Sequence, residues 1–252
     1  MANSSPFEAV HKHLGANFSE YDGWRLASDY GDRAAEDKAL EEASAAFDLS
    51  SFGRITIKGT DGEAVIDKLL TDGAERCGDG KWVWAVVGDM QTQSADILRV
   101  GKVSGAYIIF TLPAKRQRVL TLAQACANEH ALSDVKITDI TEKTAMLGIY
   151  GPEAVKTTAG ILPFDIAGIA AGDITNISFF MISVTIVRGG WLDADGVELL
   201  CPALVAPMVL RAVEKYRKRA NITPAGMDCL KKAMAQANRP FDGSVPLGKS
   251  RR

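Results

Sequence analysis

The chain has 252 residues, 47% hydrophobic and 24% charged, so one large or two small domains can bury a sizeable core. A formal net charge of -2 gives neither nucleic acid nor an anionic membrane a reason to bind. No apolar stretch reaches membrane-spanning length, the first residues lack a secretory pattern, and four scattered cysteines without a CxxC spacing point to a reduced, cytoplasmic chain.

In chain order, Pro6 to Leu14 predicts a short helix ended by Gly15. Asp32 to Phe47, rich in Ala, Glu and Lys, predicts a second helix. Arg54 to Lys58 alternates as a strand; Thr60 or Asp61 then caps a helix with Val65, Ile66, Leu69 and Leu70 at helical spacing. Lys81 to Val87, Asp96 to Val100 and Ala106 to Leu112 read as successive antiparallel strands. Pro113 opens a helix through about His130, and Val135 to Ile140 is a strand. A second strand-rich block follows, with strands at Ala145 to Tyr150, Ser178 to Val187 and Val197 to Cys201. Pro152 and Pro202 open helices, the latter ending near Ala220, and Pro224 to Ala237 is a last helix before a loosely held tail. The basic runs Lys115 to Arg118, Lys215 to Arg219 and Lys249 to Arg252 read as solvated helix faces and tail.

Strands flanked by helices without strict βαβ alternation give an α+β fold with antiparallel sheets. There is no GxGxxG after a strand, no P-loop and no Gly-x-Ser-x-Gly elbow. His11 and His13, two apart on a helix, point away from each other and suit no shared metal, so no metal site is expected. Asp96 is the residue that carries a chemical reading. Alternation groups it with Leu98 and Val100, so a carboxylate points toward an apolar layer. A half-buried carboxylate is a functional candidate; a turn Asp capping a hairpin is the structural alternative.

Several short motifs keep a common order and spacing. They are Asp22-Gly23-Trp24, Tyr30-Gly31, Phe47-Asp48-Leu49-Ser50, Gly53-Arg54-Ile55, Leu69-Leu70-Thr71, Gly80-Lys81, Gly151-Pro152-Glu153-Ala154, Gly196-Val197-Glu198-Leu199 and Pro224-Ala225-Gly226-Met227. Together, from about Phe7 to Asn238, they resemble the glycine cleavage system T-protein (aminomethyltransferase) family. The resemblance implies a T-protein-like folate-binding fold of two lobes. One is discontinuous, 1–50 plus 141–240; the other is central, 51–140; 241–252 is tail. The family's C-terminal barrel has no counterpart here.

On this register Asp96 falls on the family's catalytic aspartate, which lies near the folate nitrogen and the transferred carbon. A fixed carboxylate in a low-dielectric pocket stabilises an iminium-like state. Other positions depart from the family. Leu192-Asp193-Ala194-Asp195 replaces its Thr-Gly-Glu, which puts Ala194 at the pterin-edge glutamate and leaves Asp193 or Asp195 as substitutes. Leu230 stands for an arginine, Phe110 for an asparagine, and Trp84 and Trp191 for other aromatics. Trp84, Phe110 and Trp191, with Tyr21 and Trp24 approaching, form an expected apolar wall. Asp89, Gln91, Gln93 and Arg188 are its hydrogen-bonding neighbours.

The implied protein is a one-carbon enzyme acting on a small, aromatic substrate at the formaldehyde level. In one branch tetrahydrofolate accepts the unit, though the lost pterin contacts predict weak or absent folate binding; in the other there is no cofactor and Asp96, as general base, releases formaldehyde. A non-catalytic folate-binding or scaffold subunit of a larger complex is the alternative. The expected partners are the small molecule and a second copy or larger subunit, without nucleic acid or membrane.

Overall fold

A computed structural model describes residues 2–71, 77–89, 94–162, 165–179, 182–208, 221–237, 239, 241 and 244–246. In chain order the elements are β1 (Asn3–Ser4), α1 (Glu8–His13), β2 (Asn17–Tyr21), β3 (Trp24–Asp29), α2 (Arg33–Glu42), β4 (Ala45–Asp48), β5 (Gly53–Lys58) and α3 (Gly62–Leu69). Next come β6 (Lys81–Asp89), β7 (Ser94–Val103), β8 (Ala106–Thr111), α4 (Arg116–Glu129), β9 (Lys136–Asp139), β10 (Thr144–Tyr150) and α5 (Ala154–Ala159). The rest are β11 (Ile174–Phe179), β12 (Ile182–Arg188), β13 (Gly196–Pro202), β14 (Thr223–Pro224), α6 (Met227–Gln236) and β15 (Ser244–Pro246). No helix among the described residues is long and apolar enough to cross a membrane.

Two units result: Met1–Ser51 with Glu142–Asn238, and Phe52–Thr141 with Arg239–Arg252. The first carries a six-stranded sheet in the order β11-β12-β13-β10-β4-β14 and a small sheet β1-β3-β2. Its β2–β3 hairpin turns at Asp22 and Gly23, both at positive φ (47° and 76°), the backbone a two-residue hairpin turn requires. The second unit carries β15-β7-β8-β5-β9, with β6 on the other edge of β7. One face of that sheet packs Ile55, Ile57, Leu98, Val100 and Ile109 against Val65 and Ile66 of α3 and Val119 and Ala123 of α4.

Four sequence expectations are corrected. Asp32 to Phe47 is not one helix. Asp32 caps α2 by accepting from the Ala35 N–H at 3.0 Å, but α2 stops at Glu42 and Ala45–Asp48 pairs with β10 and β14. Helix propensity is a weak prior, and a buried slot inside a sheet overrides it: Ala45 and Phe47 are fully buried there. The single strand Ser178 to Val187 is a hairpin of β11 and β12, in register at Phe179↔Ile182, where no Gly, Asn or Asp signals the turn. The last helix starts at Met227, because Thr223–Pro224 first adds to the sheet beside β4. The tail is not loose throughout: Ser244–Pro246 pairs with β7. The helix predicted from Pro202 lies outside the described residues beyond Met208, as does the run Lys215 to Arg219.

Gly226 shows how tightly α6 is seated. Its N–H donates to the buried Glu36 carboxylate at 2.9 Å, and a Cβ there would lie 2.1 Å from the Ser28 carbonyl oxygen. Backbone cannot move aside as a side chain can, so Gly226→Ala is expected to cost about 2–3 kcal/mol. Urea denaturation checks this; an unchanged midpoint would show that α6 is free to shift.

Candidate functional site

The β6–β7 ladder runs without a register shift from Lys81↔Lys102 to Asp89↔Ser94. Cross-strand partners share a face, so this register decides which predicted site residues meet. Trp84 pairs with Arg99, and Arg99 with Phe110 of β8, which pairs in turn with Arg54 of β5. These four side chains form one row across the sheet. Asp96 pairs with Val87 and shares the opposite face with Leu98 and Val100. The sequence reading put Asp96 in one pocket with Trp84 and Phe110. The structure joins Trp84 to Phe110 and sets Asp96 on the other side of the sheet.

On the Trp84 face, Arg99 is the centre. It is fully buried, with its guanidinium carbon 5.1 Å from the Trp82 ring centroid, 5.9 Å from Trp84 and 5.0 Å from Phe110. These are cation–π distances. The two indoles meet edge-on at 5.9 Å and are half-buried, whereas Phe110 is fully buried. The accessible part of this wall is therefore the indole pair. Sequence reasoning missed Arg99, although an arginine inside Ile97-Leu98-Arg99-Val100 was a signal.

On the opposite face, Asp96 is 2% exposed and both its oxygens are engaged. Lys115 Nζ lies 2.9 Å from Oδ1, and Arg118 donates to Oδ2 at 2.6 Å. Arg116 donates to Asp139, whose carboxyl burial would raise, but Thr141 and Arg116 outweigh burial and hold it below the usual range. The run Lys115 to Arg118 is thus a set of sheet-facing ion pairs rather than a solvated face.

The remaining candidates belong to the first unit, apart from Asp89, which ends β6 with its side chain outside the described set, as are Gln91 and Gln93. Trp24 and Trp191 are buried, at 4% and 1% exposure, and fill its interior. Tyr21 donates to Asp228 at 2.9 Å; burial and that carboxylate push its phenol up to about 12. Arg188 clamps the loop before β13, donating to Asp195 and the Gly196 carbonyl, both at 2.7 Å, and to the Ile169 carbonyl at 2.9 Å. Asp193 and Asp195 are exposed. Behind this loop Tyr150 donates to the fully buried Glu198 and accepts from the Trp191 N–H.

A second buried network escaped the sequence reading. Asp48 accepts from Ser5 and from the Ser50 N–H, and meets His11 Nε2 at 2.8 Å; His11 Nδ1 meets the Tyr30 hydroxyl at 2.7 Å. Burial would raise the Asp48 carboxyl, but His11, Ser5 and Ser50 outweigh it and hold it low. Burial, then Asp48 and Glu36, push the Tyr30 phenol up. The narrow recess beside these groups, lined also by Phe47 and Met227, leaves no space for a substrate, so the network ties the N-terminal segment to β4. Among the described residues no group of three His, Cys, Asp or Glu could hold a metal.

Two outcomes follow from these pairs. Asp96→Asn should lower stability by about 1–3 kcal/mol, because two partly covered cations lose their charged partner; thermal and urea unfolding measure it. Wild-type stability would mean that solvent already neutralises Lys115 and Arg118. For Asp48 the folded carboxyl lies below its unfolded value. Its contribution is therefore present above the usual carboxylate range and lost as pH falls through the folded value. Urea midpoints at pH 7 and at about pH 3 should differ less in Asp48→Asn than in wild type. Equal differences would remove Asp48 from the acid response.

The profile of the GCVT N-terminal domain matches residues 7–237. The aminomethyltransferase of Cutibacterium acnes is 26% identical over 249 residues, 95% of this chain and 66% of that protein. That of Anoxybacillus flavithermus is 24% identical over 250 residues, 98% and 66% respectively. The chain thus spans just under two thirds of these relatives. The crystal structure of glycine cleavage system aminomethyltransferase T from Bartonella henselae has the same fold. The TM-score is 0.82 at 17% identity, covering 94% of this chain and 63% of that one. With nearly every residue inside the matched region, the chain belongs to the GCVT N-terminal domain family, that of the glycine cleavage T-protein.

Proposed function

We propose that this chain is a one-carbon enzyme. It takes a one-carbon unit from a small ring-bearing substrate, either a methylene or hydroxymethyl unit at the oxidation level of formaldehyde or a methyl unit two electrons below it, with tetrahydrofolate as acceptor. The wall of Trp82, Trp84 and Phe110 around Arg99 supports this reading most. Half-buried indoles offer a flat apolar surface on which an aromatic ring stacks. A pterin ring suits the same surface, so Trp82 and Trp84 are the residues that would hold it. When bound, tetrahydrofolate supplies the nitrogen that accepts the unit. In the first unit Asp193 and Asp195 are exposed carboxylates of the loop before β13, and Asp195 is bonded to Arg188. Asp96 fixes the sheet beneath α4; proton transfer at this carboxylate would require Lys115 and Arg118 to release it.

The test is turnover by the purified chain on N-methyl, O-methyl and hydroxymethyl aromatic compounds, with and without tetrahydrofolate. Loaded folate is expected with the acceptor; without it only the hydroxymethyl compounds should release formaldehyde, since a methyl unit reaches that level only by losing two electrons to an oxidant. Trp84→Ala should lower kcat/KM by about tenfold while the protein stays folded. A variant with wild-type kinetics would take the wall out of substrate binding. The second reading, a non-catalytic subunit, is favoured by the engagement of both Asp96 oxygens. Tetrahydrofolate binding without turnover on any of these compounds would select it.

A further inference from the structure

Asp96 is a buried carboxylate beneath two cations that reach solvent, all three within the second unit. Its Oδ1 lies 2.9 Å from Lys115 Nζ, and its Oδ2 accepts from Arg118 Nη1 at 2.6 Å. The Asp96 side chain is 3% exposed, that of Lys115 21% and that of Arg118 39%. Two positive charges thus share one negative charge, and the neighbouring carboxylate, Asp139, is taken by Arg116. Arg118 gives Asp96 a single nitrogen, whereas a guanidinium carries five N–H donors in a planar fork.

We infer that Arg118 is a gate on Asp96, and that an oxyanion from solvent, a sulfate, phosphate or carboxylate group, opens it by binding the guanidinium and drawing it off Oδ2. The inference concerns the Asp96 face and does not depend on the ring-binding reading of the Trp84 face. The buried carboxylate and the oxyanion are acceptors for the same fork, so they compete for it. The outer arm of the pair is the weak one: solvent screens an exposed guanidinium, and holding so long a side chain still costs entropy. Lys115 is the better covered cation and stays behind, which keeps the uncovered carboxylate paired; a buried carboxylate with no partner would be far costlier. Arg116 keeps its bond to Asp139, so the start of α4 stays seated while Oδ2 is open. An oxyanion thereby turns a structural ion pair into an accessible carboxylate oxygen.

Carbodiimide activation in the presence of glycine ethyl ester, read by mass spectrometry, measures how often Asp96 is open; the ester adduct and the amide to Lys115 are counted together. Sulfate is the probe. In wild type, sodium sulfate should raise Asp96 modification above the level in sodium chloride of equal ionic strength, which screens the pair to the same extent. Arg118→Ala should raise it by about tenfold without any sulfate, since a minor open state holds roughly a tenth of the molecules or fewer. Sulfate should then add nothing further. Asp139, held by Arg116, is the internal control and should stay at its wild-type level throughout. No sulfate effect in wild type would overturn the oxyanion site, and that arm needs no variant to fold. No rise in Arg118→Ala, or an equal rise at Asp139, would overturn the gate. Neither arm uses the one-carbon reaction, so a failure of the proposed function leaves both readable.

Discussion

Lys115, Arg116 and Arg118 stand at the start of α4, the end where the helix dipole is positive and cations are least welcome. Uncompensated, they would push the helix off the sheet. The sheet answers with carboxylates at two places: Asp96 on β7 takes Lys115 and Arg118, and Asp139 at the end of β9 takes Arg116. Those pairs fix where α4 begins. The apolar positions Val119, Ala123 and Ala127 then follow at helical spacing and land on Leu98, Val100 and Ile109. One face of the sheet is thereby committed to the helices, and the aromatic and guanidinium side chains gather on the other.

That division follows from the two-residue period of a strand. Leu98 and Val100 go to the core, and Arg99 between them must point the other way. A leucine in place of Arg99 would fill the same volume without desolvating a charge, and such exchanges often stabilise a protein. Three rings line the guanidinium, Trp82, Trp84 and Phe110, at 5.0–5.9 Å.

Much of the second unit was legible in its sequence. Pro113 marked the entry to α4, alternation marked the strands, and the grouping of Asp96 with Leu98 and Val100 was correct. What local pattern could not supply was pairing. Whether Trp84 shares a face with Asp96 depends on the register across the turn, and a slip of one residue reverses the answer. Trp84↔Arg99 puts them on opposite faces. The same limit hid the first unit's network. His11 was weighed against His13, two residues away, while its partner Asp48 is 37 residues away. Ala45–Asp48 was hidden differently: its alanine-rich approach favours helix, and only β10 and β14 on either side make it a strand.

A resemblance carries over the position of a residue, not its electrostatic surroundings. The resemblance assigns Asp96 to the family's aspartate, yet a carboxylate's chemistry is set by what touches it. One open to a pocket can take a proton or balance a developing cation. One held between an ammonium and a guanidinium has both oxygens engaged, and a reacting group reaches it only when a cation leaves. Arg118 is the more exposed of the two holders, at 39%, against 21% for Lys115. Any chemistry at Asp96 therefore begins with the swing of Arg118 toward solvent, and α4 would lose one of the pairs that seat it at the same moment. The contacts that hold the helix lie on the Asp96 face, and the row of Trp84, Arg99 and Phe110 lies on the other, clear of them.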